Sequence, residues 1–266
     1  MRRLLLAVLI LACPGPADSA GAAPSPPEIA ERGRVAEVID GDTLMLDDGR
    51  PVRLVGIQAP KLPLGRTGFE AWPLAEEAKT ALSSLTLGRE VGLGYGGRQI
   101  DRHGRALAQL YLLDGAGEAD LWIQGALLEA GLARVYSFAD NRALIAEMLA
   151  HERQARAGRR GIWADPFYAV RTPERVQGHA GSFQLVEGIV VDAAEVKGRV
   201  YLNFGADWKS DFTVNLAPAV RRLFEAEGID PLDYGGKRVR VRGWIKSFNG
   251  PMIEASHPEQ IEVIEE

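Results

Sequence analysis

The sequence has 266 residues and a formal net charge of −5, long enough for one large domain or two small ones. Its hydrophobic fraction of 46% and charged fraction of 25% exclude a wholly disordered chain and provide for a sizeable core. The acidic balance excludes a polycation that grips duplex DNA regardless of sequence, but leaves room for a small local basic groove. The single cysteine, Cys13, excludes a disulfide framework and a thiolate metal site.

Met1-Arg2-Arg3 is a short cationic segment, and Leu4 to Ala12 is an apolar run too short to span a bilayer. Pro14, Gly15 and Pro16 break it, and Ala20-Gly21-Ala22 offers a small-residue cleavage site. Residues 1–22 therefore read as an export signal, which predicts a periplasmic or secreted protein with no transmembrane span. Ile10-Leu11-Ala12-Cys13 loosely resembles a bacterial lipoprotein box, so Cys13 reads either as a lipid anchor or, preferably, as a small residue inside a cleaved signal. Residues 23–32 read as a tether.

The first folded unit is expected over residues 33–165. Arg34 to Asp40, Thr43 to Asp47 and Val52 to Ile57 are β-like runs. Gly41 allows the first turn between them, and Asp48-Gly49 is a hairpin signal for the second. After a loop, Ala59 to Trp72, Pro73 fits the first turn of a helix, and Leu74, Ala78, Ala81, Leu82 and Leu85 recur at helical spacing before Gly88. Glu90 to Tyr95 and Ala106 to Leu113 read as strands joined by the Asp101–Arg105 loop. Asp120 and Asp140 are candidate caps of two further helices, ending before Gly131 and Gly158. Five strands with a helix after the third predict a small Greek-key barrel of the oligonucleotide/oligosaccharide-binding (OB) type.

Residues 166–183, with Pro166, Pro173, Gly178 and Gly181, read as a linker. Strands are then expected over Gln184–Val191, Arg199–Phe204 and Phe212–Leu216, a helix over Ala219–Glu227, and strands over Lys237–Trp244, Met252–Ala255 and Ile261–Ile264. The fold class is thus α+β, mainly β: a five-stranded barrel with three helices, followed by a second, smaller OB-like barrel over residues 184–266. Tyr201, Phe204, Trp208, Phe212, Arg240, Arg242 and Trp244 mix aromatics with arginine in that second unit. Such a mixture can bind single strands, but the alternation of Val239 and Val241 with Arg238, Arg240 and Arg242 is equally that of a half-buried strand. Structural or protein-interaction use is the preferred reading, with its partner unknown.

Three segments in order, Asp40-Gly41-Asp42-Thr43, Arg53-Leu54-Val55-Gly56-Ile57-Gln58-Ala59-Pro60-Lys61 and Asp101-Arg102-His103-Gly104-Arg105, resemble the active-site segments of the staphylococcal nuclease (thermonuclease) family. The resemblance runs over about residues 33–165 and closes on Gly161-Ile162-Trp163. It implies a nuclease that hydrolyses DNA or RNA phosphodiesters with one calcium ion, held by two carboxylates, a backbone carbonyl and waters. A glutamate serves as candidate base and two arginines clamp the phosphate. Carried onto this chain, Asp42 matches the first carboxylate, Ala59 the backbone carbonyl, and Arg53 and Arg105 the clamp.

Two positions depart from that pattern. Gln58 stands where the second carboxylate is expected, losing a full charge from a calcium site whose affinity rises with ligand charge. Lys61 stands at the position of the base, and an ammonium cannot accept a proton. Phosphate binding is therefore expected to survive better than hydrolysis: an attenuated nuclease with at most weak calcium binding, single strands favoured over duplex, or alternatively a non-catalytic nucleic-acid- or protein-binding module. His103 reads as a solvated imidazole or a proton donor. Tyr136 and Phe138 read preferably as core, and alternatively as base-stacking rings. Arg153, Arg156, Arg159 and Arg160 read by default as a solvated face complementing a helix end, and alternatively as phosphate contacts. Glu70 is a candidate replacement for the missing acid, though nothing in its spacing requires that role.

Overall fold

A computed structural model describes residues 27–264. The expected export signal, Cys13 and residues 23–26 of the expected tether lie outside the described residues. Strand β1 (Ile29–Asp40) begins inside that tether, because Ile29 to Arg34 pair with a later strand. Then follow β2 (Thr43–Leu46), β3 (Pro51–Leu54), β4 (Ile57–Gln58), α1 (Ala75–Thr86), β5 (Glu90–Gly94) and β6 (Ala106–Leu113). The first unit ends with β7 (Ala119–Trp122), α2 (Ile123–Glu129), β8 (Arg134–Val135) and α3 (Ile145–Ala157).

The sheet runs β3-β2-β1-β5-β6-β7, and a parallel β3–β6 pairing closes β1, β2, β3, β6 and β5 into a ring. The expected five-stranded barrel with three helices is therefore present. β1 serves two neighbours, β5 through its first half and β2 through its second. A register shift after Val35 falls where it passes from one neighbour to the other. Val35, Leu44, Leu46, Val52, Leu54, Val91, Leu93 and Leu110 fill the interior, all essentially buried.

Three details differ from the sequence expectation. The run Val52 to Ile57 is two strands, because Gly56 takes a left-handed φ of 84°. A Cβ there would meet Met148 at 2.5 Å, so only glycine permits this turn, and β4 leaves the barrel to pair with β8. Asp120 caps no helix: it lies in β7, and α2 starts from Trp122. Nor does Asp140 cap α3, which starts from Leu144 in a left-handed conformation. The backbone of Asp140 is instead engaged with Arg98, whose amide donates to the Asp140 carbonyl at 2.9 Å.

The expected linker is a packed connection of short 3-10 turns. Tyr168 and Val176 are buried, the Tyr168 hydroxyl donates to the Pro73 carbonyl (2.8 Å), and the Arg171 backbone pairs with Leu185 and Glu187. Next come β9 (Phe183–Ile189), β10 (Asp192–Val196), β11 (Arg199–Asn203), β12 (Thr213–Leu216), α4 (Pro218–Ala226), β13 (Arg238–Ser247), β14 (Pro251–Ala255) and β15 (Ile261–Val263). The path is β10-β11-β12-β14-β13-β15, with β9 on β13 and β12–β14 parallel. β9 and β10 act as one interrupted first strand, so this second sheet repeats the connectivity of the first around its own core, which includes Val200, Leu202, Phe212, Val214, Phe224 and Val241. β10 carries no apolar alternation (Asp-Ala-Ala-Glu-Val), which is why pattern reading missed it.

The two barrels share a polar contact. Arg242 on β13 is buried and places its guanidinium on both oxygens of Glu152 on α3 (3.0 Å each) and on Glu262 (2.6 Å). Arg142 pairs with Glu227 and Glu259. Buried His257 shares hydrogen bonds with the Ser137 hydroxyl (2.8 Å) and the Ser256 hydroxyl (2.9 Å).

Candidate functional site: an acidic pocket and an arginine groove

The Asp-Gly-Asp turn between β1 and β2 packs directly on α1 and on the segment after β4. A Cβ at Gly41 would lie 2.7 Å from the Cβ atoms of both Ala59 and Ala78. Glycine lets the turn come this close, and so carries the carboxylates of Asp40 and Asp42 inside. Asp42 is completely buried and Asp40 nearly so. The Asp42 amide donates to Asp40 Oδ1 (3.0 Å), and Asp42 Oδ2 accepts the Ala59 N–H (2.7 Å).

Two cations close this pocket. Lys61 Nζ lies 2.7 Å from each oxygen of Asp42 and 3.4 Å from Asp40 Oδ2. Arg53 Nη2 is 3.2 Å from Asp42 Oδ2, and its guanidinium also donates to the carbonyls of Leu54 and Ile57. Burial would push the Asp42 carboxyl up, but Arg53, Lys61 and the Ala59 amide outweigh it and hold Asp42 well below the ordinary carboxylate range. Asp40 moves the other way: burial and the charge of Asp42 raise it, only partly opposed by Lys61.

Gln58 faces away from this cluster's needs. Its Oε1 accepts two hydrogen bonds from Arg134 on β8, from Nε at 3.0 Å and Nη2 at 2.7 Å. Arg134 in turn lies against the ring of Phe183 from the second barrel (4.7 Å). Ala59 presents its amide to Asp42.

These residues do not fit a resident calcium ion. Both oxygens of Asp42 are taken by an ammonium, the Gln58 oxygen by a guanidinium, and the two carboxylates are already balanced by two cations. Among the described residues there is no group of three or more His, Cys, Asp or Glu side chains able to hold a metal.

Beside the pocket runs a groove of about 430 Å³, lined by Arg53, Arg98, Arg102, Arg105, His103, Tyr136 and Phe138 among others. Arg53 and Arg105, far apart in sequence, thus share one surface, with the Arg53 side chain 12% exposed and that of Arg105 31%. The Asp101 loop builds its wall: Asp101 Oδ1 accepts the amides of His103 (2.8 Å) and Arg105 (3.0 Å), Oδ2 accepts Arg105 Nε (2.8 Å), and Gly104 takes a φ of 77°. Asp101 is partly buried, which raises its carboxyl, but the bonds from Arg105 and His103 bring it below its ordinary value. Four arginines against two aspartates, Asp101 and Asp140, line the groove, so it is locally basic on an acidic chain.

A family model described as staphylococcal nuclease homologue matches residues 51–165, spanning Arg53, Gln58, Lys61, Arg105 and the groove. Protein ParB of Escherichia coli is 34% identical over 167 residues, 60% of this chain and 81% of that one. The chain belongs to the staphylococcal nuclease family. Within the family it is also similar to an uncharacterized endonuclease of Escherichia coli (32% over 136 residues; 50% of this chain, 77% of that one). A micrococcal nuclease of Shigella flexneri is 30% identical over 141 residues, 51% of this chain and 75% of the relative. The family match ends at Asp165, before the second barrel starts.

The remaining sequence candidates divide clearly. His103 is exposed and accepts Arg102 Nε at 3.1 Å; Glu70 is exposed. Arg153, Arg156 and Arg160 pair with Glu262, Glu152 and Glu129. Phe204 and Phe212 are core, Arg240 pairs with Glu187, and Arg242 bridges the barrels. Tyr201 and Trp208 line a separate cleft of about 390 Å³ with Phe248. Sequence reasoning did not assign Asp40, Arg98, Arg102 or Arg134 to the site. Asp40 and Arg102 had local signals, as the first acid of the turn motif and as a member of the Asp101–Arg105 segment; Arg98 and Arg134 reach the site through pairings distant in sequence. No helix among the described residues is long and apolar enough to cross a membrane.

Proposed function

We propose that this protein binds single-stranded nucleic acid along the arginine groove, and that phosphodiester hydrolysis, the activity of its nuclease relatives, is attenuated in it. The observation that carries this reading is Lys61 Nζ at 2.7 Å from both oxygens of Asp42. Hydrolysis needs a base or a metal to activate water, and cationic groups to absorb charge on the phosphoryl oxygens. The groove supplies the second requirement. The pocket lacks the first, because its buried carboxylate is neutralised from within and an ammonium stands where a proton acceptor is required.

Arg105 is the principal phosphate contact in this reading. Its planar fork is oriented by Asp101, and Arg98 and Arg102 add positive field along the strand. Arg53 is committed to Asp42 and to carbonyls, so its first role is to hold the pocket shut. Residues 1–22 serve as a cleaved export signal, and residues 184–266 form an accessory module.

Binding is tested by fluorescence anisotropy of labelled single-stranded DNA and RNA in chelator. Wild type binds and Arg105→Ala weakens binding. Hydrolysis is tested with Gln58→Asp/Lys61→Glu, which restores two negative positions: calcium-dependent cleavage should rise above wild type. Robust calcium-dependent cleavage by wild type, or no gain in the double variant, would overturn the attenuation reading.

A further inference from the structure

The groove does not end at the first barrel. Tyr136 and Phe138, on the segment following β8, form part of its lining and pack edge to face with ring centroids 4.8 Å apart. Tyr136 also packs on Phe183 of the second barrel at 4.9 Å. Its hydroxyl accepts a hydrogen bond from the indole N–H of Trp244 on β13 at 2.8 Å, and Trp244 meets Phe183 at 6.4 Å. Phe138, Tyr136 and Trp244 therefore form a connected run of rings leading from the arginine wall onto the second barrel.

Exposure separates this run from an ordinary interface. Rings whose only task was to join the barrels would be buried, as Phe183 is. Phe138 is instead 46% exposed and Trp244 45% exposed. The tight joining falls elsewhere, to Arg242 with Glu152, Arg142 with Glu259, and His257 with Ser137. The hydrogen bond to Tyr136 fixes the indole rather than leaving it to swing. A fixed, half-exposed ring next to a basic groove is a platform for an unpaired base, because every base has a π-face and stacking is tolerant of sequence. A duplex keeps those faces inside, so such a platform selects single strands.

We infer that a single strand held in the arginine groove continues across Phe138 and Tyr136 and stacks a base on Trp244, so that the second barrel lengthens the binding site. This rests on the nucleic-acid reading of the groove. It also gives the second barrel a function: its strand β13 supplies the far end of the track.

The test compares two labelled oligothymidylates, of about five and about fifteen nucleotides, spanning the usual range for one such barrel. Affinities are measured by anisotropy in chelator for wild type, Trp244→Ala and Trp244→Phe. Wild type should bind the longer strand more tightly. Trp244→Ala should lose at least about fivefold on the longer strand, the low end of what one stacked base contributes, while matching wild type on the short one. Trp244→Phe, which keeps a ring but not the N–H, should retain most of the long-strand affinity.

Equal binding of the long strand by wild type and Trp244→Ala would overturn the inference while leaving the groove reading intact. An equal loss on both lengths would make Trp244 a support for the groove and also overturn it, as would Trp244→Phe failing as badly as alanine. If wild type binds neither strand, the groove reading falls first and this inference with it.

Discussion

Replacing Lys61 with methionine isolates the interaction on which the pocket depends. The substitution keeps an aliphatic stem of similar length but removes the ammonium that contacts both oxygens of Asp42 at 2.7 Å. Leaving one member of a fully buried pair uncompensated costs about 3–5 kcal/mol. Two features reduce this here: Lys61 retains 21% side-chain exposure, and Asp42 keeps Arg53 at 3.2 Å and the Ala59 amide at 2.7 Å. The expected loss is therefore about 2 kcal/mol, or a Tm lowered by roughly 4–8 °C for a chain of this size.

Thermal unfolding followed by circular dichroism at neutral pH reads this directly. The paired variant Asp42→Asn/Lys61→Met, which removes both charges, should recover much of the loss. Because the folded Asp42 carboxyl is held below its unfolded value, its contribution is present above the ordinary carboxylate range and disappears only as pH falls through the lowered value. The deficit of Lys61→Met should accordingly persist at about pH 5. A Tm within about 1 °C of wild type, when a shift of several degrees is expected, would show that Lys61 does not neutralise Asp42, and the account of the pocket would fail.

Other consequences can be measured independently. Arg242→Met leaves Glu152 buried with only Arg156 and the Val135 amide as partners, so urea denaturation should show a loss of about 3 kcal/mol, partly restored in Glu152→Gln/Arg242→Met. His257 is pushed down to about 4 from 6.5 by burial first and by Arg142 and Arg242 next. A depressed folded value means its contribution is complete above the unfolded value and is lost as pH falls. Wild type should therefore lose up to about 3 kcal/mol between neutral pH and 4 that His257→Gln does not lose, as read from paired denaturation series. Gly41→Ala places a methyl 2.7 Å from Ala59 and Ala78 and should cost about 1–3 kcal/mol in thermal or chemical unfolding through overpacking.

The first barrel was legible because its signals are local. Asp48-Gly49, the Val52 run and the apolar run Ala106 to Leu113 each mark their own element, and three short motifs marked Asp42, Arg53 and Arg105. Pro73, expected in the first turn of α1, lies just before its N-cap Leu74. Element boundaries failed where tertiary packing overrides local pattern. Gly56 divides an apparently continuous strand by taking a left-handed φ of 84°, which turns β4 out of the barrel to pair with β8. Asp120 and Asp140 resemble caps in composition, but Asp120 falls at the register shift of β7 on β6, and the Asp140 carbonyl accepts the Arg98 amide. The chemistry at Gln58 was only half legible. Its lost charge was visible, but Arg134 as its partner was not, since β4 and β8 meet only in the folded sheet. Arg242 fits any half-buried strand in sequence, and only the docking of the second barrel against α3 gives it Glu152.

The most direct test of the central claim is a calorimetric titration of the wild-type chain with calcium. A pocket whose carboxylates are already neutralised by Lys61 and Arg53 should give no saturable heat below about 1 mM, the weak end of protein calcium sites. Stoichiometric binding in the micromolar range would contradict the account.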